Sequence, residues 1–149
     1  MTNSLGRPFK VEKFEAGARR DFLYAACGPG TIWGLVITAI IRRDQVQAIE
    51  IVSARRHPEP HAYQGSTTRG YRLGDPGSRL RALYGAPDEV IVEPPARREY
   101  WWYQKAGLVV APDERVVQGE VEVALIVLSP DAPLIEVRRL LNLEPGVPR

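Results

Sequence analysis

The sequence predicts an α+β domain in which an antiparallel β-sheet, a meander, is packed on one face by two or three helices. Three observations predict it: a helix-like apolar period near the N-terminus, a sharply punctuated amphipathic segment from Pro76 to Tyr84, and a succession of strand-like runs that closes with the apolar Glu120 to Leu128. At 149 residues, with 44% apolar and 26% charged residues, the chain reads as one domain spanning residues 1–149, and its composition is far from that of disorder. A chain of this length buries roughly two-thirds of the surface it exposes when unfolded, enough for one sizeable core.

Residues 1–10 lack periodicity and read as a loose arm. Phe14, Ala18, Phe22 and Ala25 recur at helical spacing, and Gly28-Pro29-Gly30 supplies a stop, so a first helix is expected there. Thr31 to Ile41 and Val46 to Ser53 are rich in β-branched residues and flank the polar Arg42-Arg43-Asp44-Gln45, which predicts a β-hairpin whose turn lacks the Asn-Gly signature. Residues 55–70 hold Pro58, Pro60, two His and Gly65, a loop composition. In the second helix Asp75 is the expected N-cap, Pro76 the first helical residue and Gly85 the left-handed cap. Strands follow at Glu89 to Val92, Arg98 to Val110 with a break near Lys105 to Gly107, and Glu120 to Leu128, with turns at Pro94-Pro95 and Pro112-Asp113-Glu114. A closing helix over residues 131–142 carries Leu134, Val137, Leu140 and Leu141 on one stripe and Arg138-Arg139 toward its C-terminal end. The similarity of Ala48 to Ser53 and Ala124 to Ser129 suggests two degenerate α-β repeats, over residues 11–54 and 70–130.

Gly74, Leu80, Tyr84, Gly85 and Pro87 around the second helix, with the aromatic strand and Gly-Leu step from Tyr100 to Leu108, resemble the motif of small α+β modules in outer-membrane-assembly lipoproteins of the SmpA/OmlA type and in β-lactamase-inhibitor-like proteins. The resemblance covers mainly residues 70–129, and every matched residue has a structural job. It implies a protein-binding module without an active site. The lipoproteins' envelope role does not carry over, because Arg19, Arg20 and Asp21 stand where a signal sequence needs an apolar run before Cys27. The expected compartment is cytoplasmic, and the longest apolar run, Leu35 to Ile41, is far shorter than a membrane span.

A net charge of +2 excludes a strong long-range field that would recruit nucleic acid or membrane. The seventeen Arg against three Lys are read as a codon-composition bias, and the Arg-Arg pairs starting at Arg19, Arg42, Arg55, Arg97 and Arg138 as solvated surface. Cys27, the single cysteine, has no base placed beside it by the sequence, so a small buried residue is a better account than a nucleophile. His57, Glu59 and His61 alternate along an extended run and could converge on a metal, but the spacing is weak and a stiff exposed loop is the preferred reading. No catalytic residue and no cofactor is expected. Tyr100-Trp101-Trp102-Tyr103 places rings on both faces of one strand beside Arg97 and Arg98. Tyr100, Trp102, Arg97 and Arg98 are therefore the candidate binding residues, for a protein partner or, alternatively, for single-stranded nucleic acid. A third alternative is a metal or enzymatic domain built on the His57-Glu59-His61 loop, and a homo-oligomer is compatible with all three.

Overall fold

The computed structural model describes residues 10–14, 19–26, 34–56, 59–61, 63–94, 97–117 and 119–141. Their strands are β1 (Lys10–Phe14), β2 (Arg19–Ala26), β3 (Leu35–Arg42), β4 (Gln45–Arg55), β5 (Glu89–Glu93), β6 (Arg98–Tyr103), β7 (Leu108–Val117) and β8 (Glu120–Leu128). Two helices, α1 (Gly77–Tyr84) and α2 (Leu134–Leu140), complete the described elements. All eight strands form one antiparallel sheet in the order β1-β2-β3-β4-β8-β7-β6-β5. Two consecutive meanders thus meet where their last strands pair, with Glu50 opposite Ile126.

This corrects the expected α+β architecture of a sheet covered on one face by two or three helices. The protein is mostly antiparallel sheet, and its two short helices lie on opposite faces. Val137 and Leu140 of α2 pack with Ile40, Ala48, Trp102, Val109 and Ile126, whereas Leu80 of α1 packs with Ile51, Trp101, Val110, Val123 and Leu125. Because side chains alternate along a strand, β6 sends Tyr100 and Trp102 into the first cluster and Trp101 and Tyr103 into the second.

The expected first helix is instead β2. Arg19 and Asp21 are buried and share one face, an i,i+2 relation that only a strand produces. The strand pairs along its whole length with β3 and along five residues with β1, so nonlocal ladder bonds outweigh a helical period of four small or aromatic residues. Among the described residues the 11–54 segment holds no helix. Cys27 and Gly28-Pro29-Gly30 lie outside the described residues.

The predicted hairpin is present as β3 and β4. Arg42 pairs with Gln45 across a two-residue turn in which Arg43 and Asp44 have φ of 51° and 59°. Both residues thus have the positive φ that two-residue hairpin turns favour because it matches the right-handed strand twist, and they adopt it here without glycine. Helix α1 begins one residue later than expected. Pro76, whose ring has no hydrogen-bonding group, is the N-cap, and the carboxylate of Asp75, the expected cap, instead accepts the Arg72 N–H at 3.0 Å. Pro112 sits within β7, not in a turn, at a register shift between Ala111 and Arg115, where a missing N–H leaves no gap in the ladder. The closing helix is shorter than expected, since Asp131 adopts φ 62° and Pro133 is the N-cap. Gly107 (φ 62°) is a position only glycine fills. A Cβ there would stand 2.5 Å from the Leu128 carbonyl oxygen.

Candidate functional site

The aromatic strand is a packing element. β6 is hydrogen-bonded to β5 on one side and β7 on the other, and it is covered by helices above and below. Tyr100 is 8% and Trp102 6% exposed, so neither ring is open to a partner or to a stacked base in the closed fold. On the opposite face the Arg81 guanidinium lies 4.7 Å from the Trp101 ring centroid, and Tyr84 meets Tyr103 at 5.5 Å. On this face the polar tips are satisfied locally, whereas Trp102 Nε1 on the other face is buried without a hydrogen-bond partner. Tyr103 Oη donates to the Gly85 carbonyl at 3.2 Å, and Trp101 Nε1 donates to Glu99 Oε2 at 3.1 Å. Burial, more than the nearby charges, pushes the Tyr100 and Tyr103 phenols above the ordinary tyrosine value, so both remain protonated donors at neutral pH.

Of the four candidate binding residues, only Arg97 is exposed, in a turn with φ 54°. Arg98 is 7% exposed and donates from Nη1 to Glu122 Oε1 at 3.2 Å. Arg115 reaches the same oxygen from Nε at 2.7 Å. On that face of the sheet Arg19 grips Asp21 through two parallel bonds, Nε to Oδ1 at 2.8 Å and Nη2 to Oδ2 at 2.7 Å. Glu50 lies within the field of both pairs. Burial raises its pKa first, the Asp21 charge raises it further, Arg19 and Arg98 pull it down, and Glu122 again raises it. The Arg-Arg pairs on strands are thus split by the pleat. Arg19 and Arg98 are buried charges, not the solvated surface expected, while Arg20 and Arg97 face outward. The Arg98–Glu122–Arg115 group ties β6, β8 and β7 together, while the Arg19–Asp21 pair lies within β2.

The loop after β4 borders a cleft of about 430 Å³ lined by Arg55, His61, Tyr63, Gln64, Arg72 and Asp75. His57, one of the three weak metal candidates, lies outside the described residues. His61 Nε2 accepts a hydrogen bond from Arg55 Nε at 3.3 Å, which occupies the lone pair a metal would need and places a cation beside it. Glu59 is exposed, and its backbone carbonyl, not its carboxylate, faces Arg55 Nη1 at 3.3 Å. Among the described residues no three His, Cys, Asp or Glu side chains gather as a metal group.

The sequence reading overlooked the sheet's outer edge. β5 pairs with β6 alone, and among the described strands nothing lies on its other side. Val90 and Val92 project from one face at 39% and 47% exposure, Ile91 is buried on the other, and Glu89 and Glu93 stand half-buried at the ends. The apolar alternation bounded by Glu was visible in the sequence, but its position at an edge follows only from the strand order.

Comparison with protein families, with curated proteins and with solved structures finds no match to this chain. No described helix is long and apolar enough to cross a membrane.

Proposed function

We propose that the protein is an interaction module that takes an extended segment of a protein partner along the open edge of β5. The observation that carries this reading is the β5 edge, on which no described strand pairs, with Val90 and Val92 exposed beside it. An edge strand offers a row of backbone donors and acceptors, and an added strand gains main-chain hydrogen bonds there while its side chains find the exposed valines. Glu89 and Glu93 share the face of Ile91. They select a segment with basic residues four apart and apolar residues between. A second copy pairing antiparallel about Ile91 would set Glu89 against Glu93 of its partner, and like charges directly opposite are destabilising. The edge therefore favours a foreign segment over self-association. The resemblance of the α1 region to the lipoprotein and inhibitor modules, resting on the quoted residues, points to the same class of role.

Titration with a blocked, flank-solubilised Lys-Val-Ile-Val-Lys peptide tests the proposal. Saturable binding that Val92→Lys weakens at least tenfold, and that fails for the Glu-Val-Ile-Val-Glu peptide, is expected. Absence of saturable binding, or binding indifferent to both changes, overturns it.

A further inference from the structure

The arginines of this chain are not all used alike. Arg19, Arg20, Arg42, Arg98 and Arg115 each face an aspartate or glutamate at ion-pair distance. Arg69, Arg72, Arg79 and Arg81 form no ion pair with any carboxylate among the described residues. All four are exposed, and all four belong to α1 or to the segment that leads into it.

The fold gathers them along one short helix. Arg72 stands at its entry, where its N–H donates to Asp75 Oδ2 and its carbonyl accepts from the Asp75 N–H, both at 3.0 Å. Leu80 is fully buried beneath α1, and successive residues turn by about 100°, so Arg79 and Arg81 flank that buried line on opposite sides. Arg69 closes the row at the last turn, where its Nη1 donates to the Leu83 carbonyl at 3.0 Å. Ser78 and Ala82, two residues either side of Leu80, form a small-sided and exposed outer face between the flanking arginines.

Two of the four are held by rings instead of carboxylates. The Arg81 guanidinium carbon lies 4.7 Å from the Trp101 ring centroid, and that of Arg69 lies 5.0 Å from the Tyr84 centroid. A carboxylate orients a guanidinium group and cancels its charge, whereas an aromatic face orients it and leaves the whole charge for another anion. Orienting the cation before a ligand arrives lowers the ordering cost of binding. None of the exposed large apolar side chains falls between residues 63 and 88, so this face lacks what a lipid surface or an apolar protein hot spot would require. Trp101 is 9% exposed beneath Arg81 and offers no open ring to an unpaired base, which leaves phosphate contact as the means of grip.

We infer that the outer face of α1 binds the phosphate backbone of duplex nucleic acid without reading its base sequence. Guanidinium forks match phosphate oxygens in pairs. A duplex carries about one phosphate charge per 1.7 Å of its axis, dense enough to meet four arginines set along a helix whose eight residues span about 12 Å. The net charge of +2 bears on long-range steering and not on this contact, because charges more than about 10 Å apart are screened at about 0.1 M salt. The face shares no residue with the β5 edge, so each proposal can fail without the other.

Fluorescence anisotropy of a labelled DNA duplex of about 20 base pairs, titrated with the whole protein between about 50 and about 200 mM salt, is the test. The logarithm of the binding constant should fall against that of salt with a slope of about −3.6, about 0.9 for each of four phosphates neutralised. Arg72→Gln with Arg79→Gln, whose side chains hold nothing else in the fold, should weaken binding at least tenfold and make the slope shallower by about 2. Arg43→Gln with Arg97→Gln removes the same charge from two exposed arginines away from α1 that likewise form no ion pair among the described residues, and should leave both quantities unchanged. Urea midpoints of both double variants should match the parent, which separates loss of binding from loss of fold. No binding at the lowest salt, an equal loss in the Arg43 and Arg97 pair, or equal affinity for poly-glutamate or for anionic phosphatidylserine vesicles overturns the inference.

Discussion

Replacing Glu122 with leucine should be among the most damaging single changes available to this protein. The carboxylate is 2% exposed and accepts from both Arg98 and Arg115. Arg115 has a side chain 42% exposed and can turn to water when its partner is gone, but the Arg98 side chain is 5% exposed and cannot. Its Nε and Nη2 already lack hydrogen-bond partners, so removing Glu122 takes its remaining bond and its countercharge together. A buried charge left unpaired in this way costs about 3–5 kcal/mol. For a domain of this size that is roughly 6–20 °C in melting temperature. The companion change carries the argument. Arg98→Met together with Glu122→Leu removes both charges and keeps the volume, and buried ion pairs exchanged for apolar groups are often near neutral. The double variant should therefore recover at least about 2 kcal/mol relative to Glu122→Leu alone. Urea unfolding of the four proteins of the cycle measures this directly. Costs that simply add, or a Glu122→Leu loss below about 1 kcal/mol, would refute the reasoning that these are one buried unit.

Three further outcomes follow from the same structure. The raised pKa of Glu50 means the folded state holds a proton that the unfolded chain releases near the ordinary value of 4.5. Stability should accordingly fall as pH rises from that value through the folded pKa, and a urea-midpoint profile of Glu50→Gln should lack that fall and lie above the parent at neutral pH. Gly107→Ala should lose more than about 2 kcal/mol, because a Cβ meets the Leu128 carbonyl at 2.5 Å, whereas Gly119→Ala, with φ 82° but open space around it, should lose about 1 kcal/mol; equal losses in thermal melts would contradict the steric account. Leu80→Ala, at a fully buried site under α1, should cost about 2–5 kcal/mol by urea unfolding.

What could be read from the sequence was what local chemistry fixes. Gly85 and Pro87 close α1 where they stand, and the β5, β6 and β8 boundaries fall within a residue or two of the runs that announce them. The reading failed where partners are distant. Phe14, Ala18, Phe22 and Ala25 suit a helix in isolation, but β1 and β3 supply the backbone partners that make Arg19–Ala26 a strand. Arg98 and Glu122 lie 24 residues apart, so no local pattern marks Arg98 as a buried charge. Rings on both faces of Tyr100–Tyr103 left open which face meets water, and a helix over each face answered that neither does. The Arg42–Glu136 pair escaped notice for a related reason. Arg42 and Glu136 are 94 residues apart and meet only after α2 docks beside the β3–β4 turn.

The division between a sealed aromatic strand and an open outer edge is tested most directly by residue-resolved amide hydrogen exchange in the free protein. The account predicts that β6 amides from Trp101 to Tyr103, where β6 is paired to β7 as well as β5, exchange only near the global unfolding free energy, while alternate amides of Glu89 to Glu93 exchange orders of magnitude faster. Fast exchange throughout β6, or uniform deep protection across β5, would contradict it.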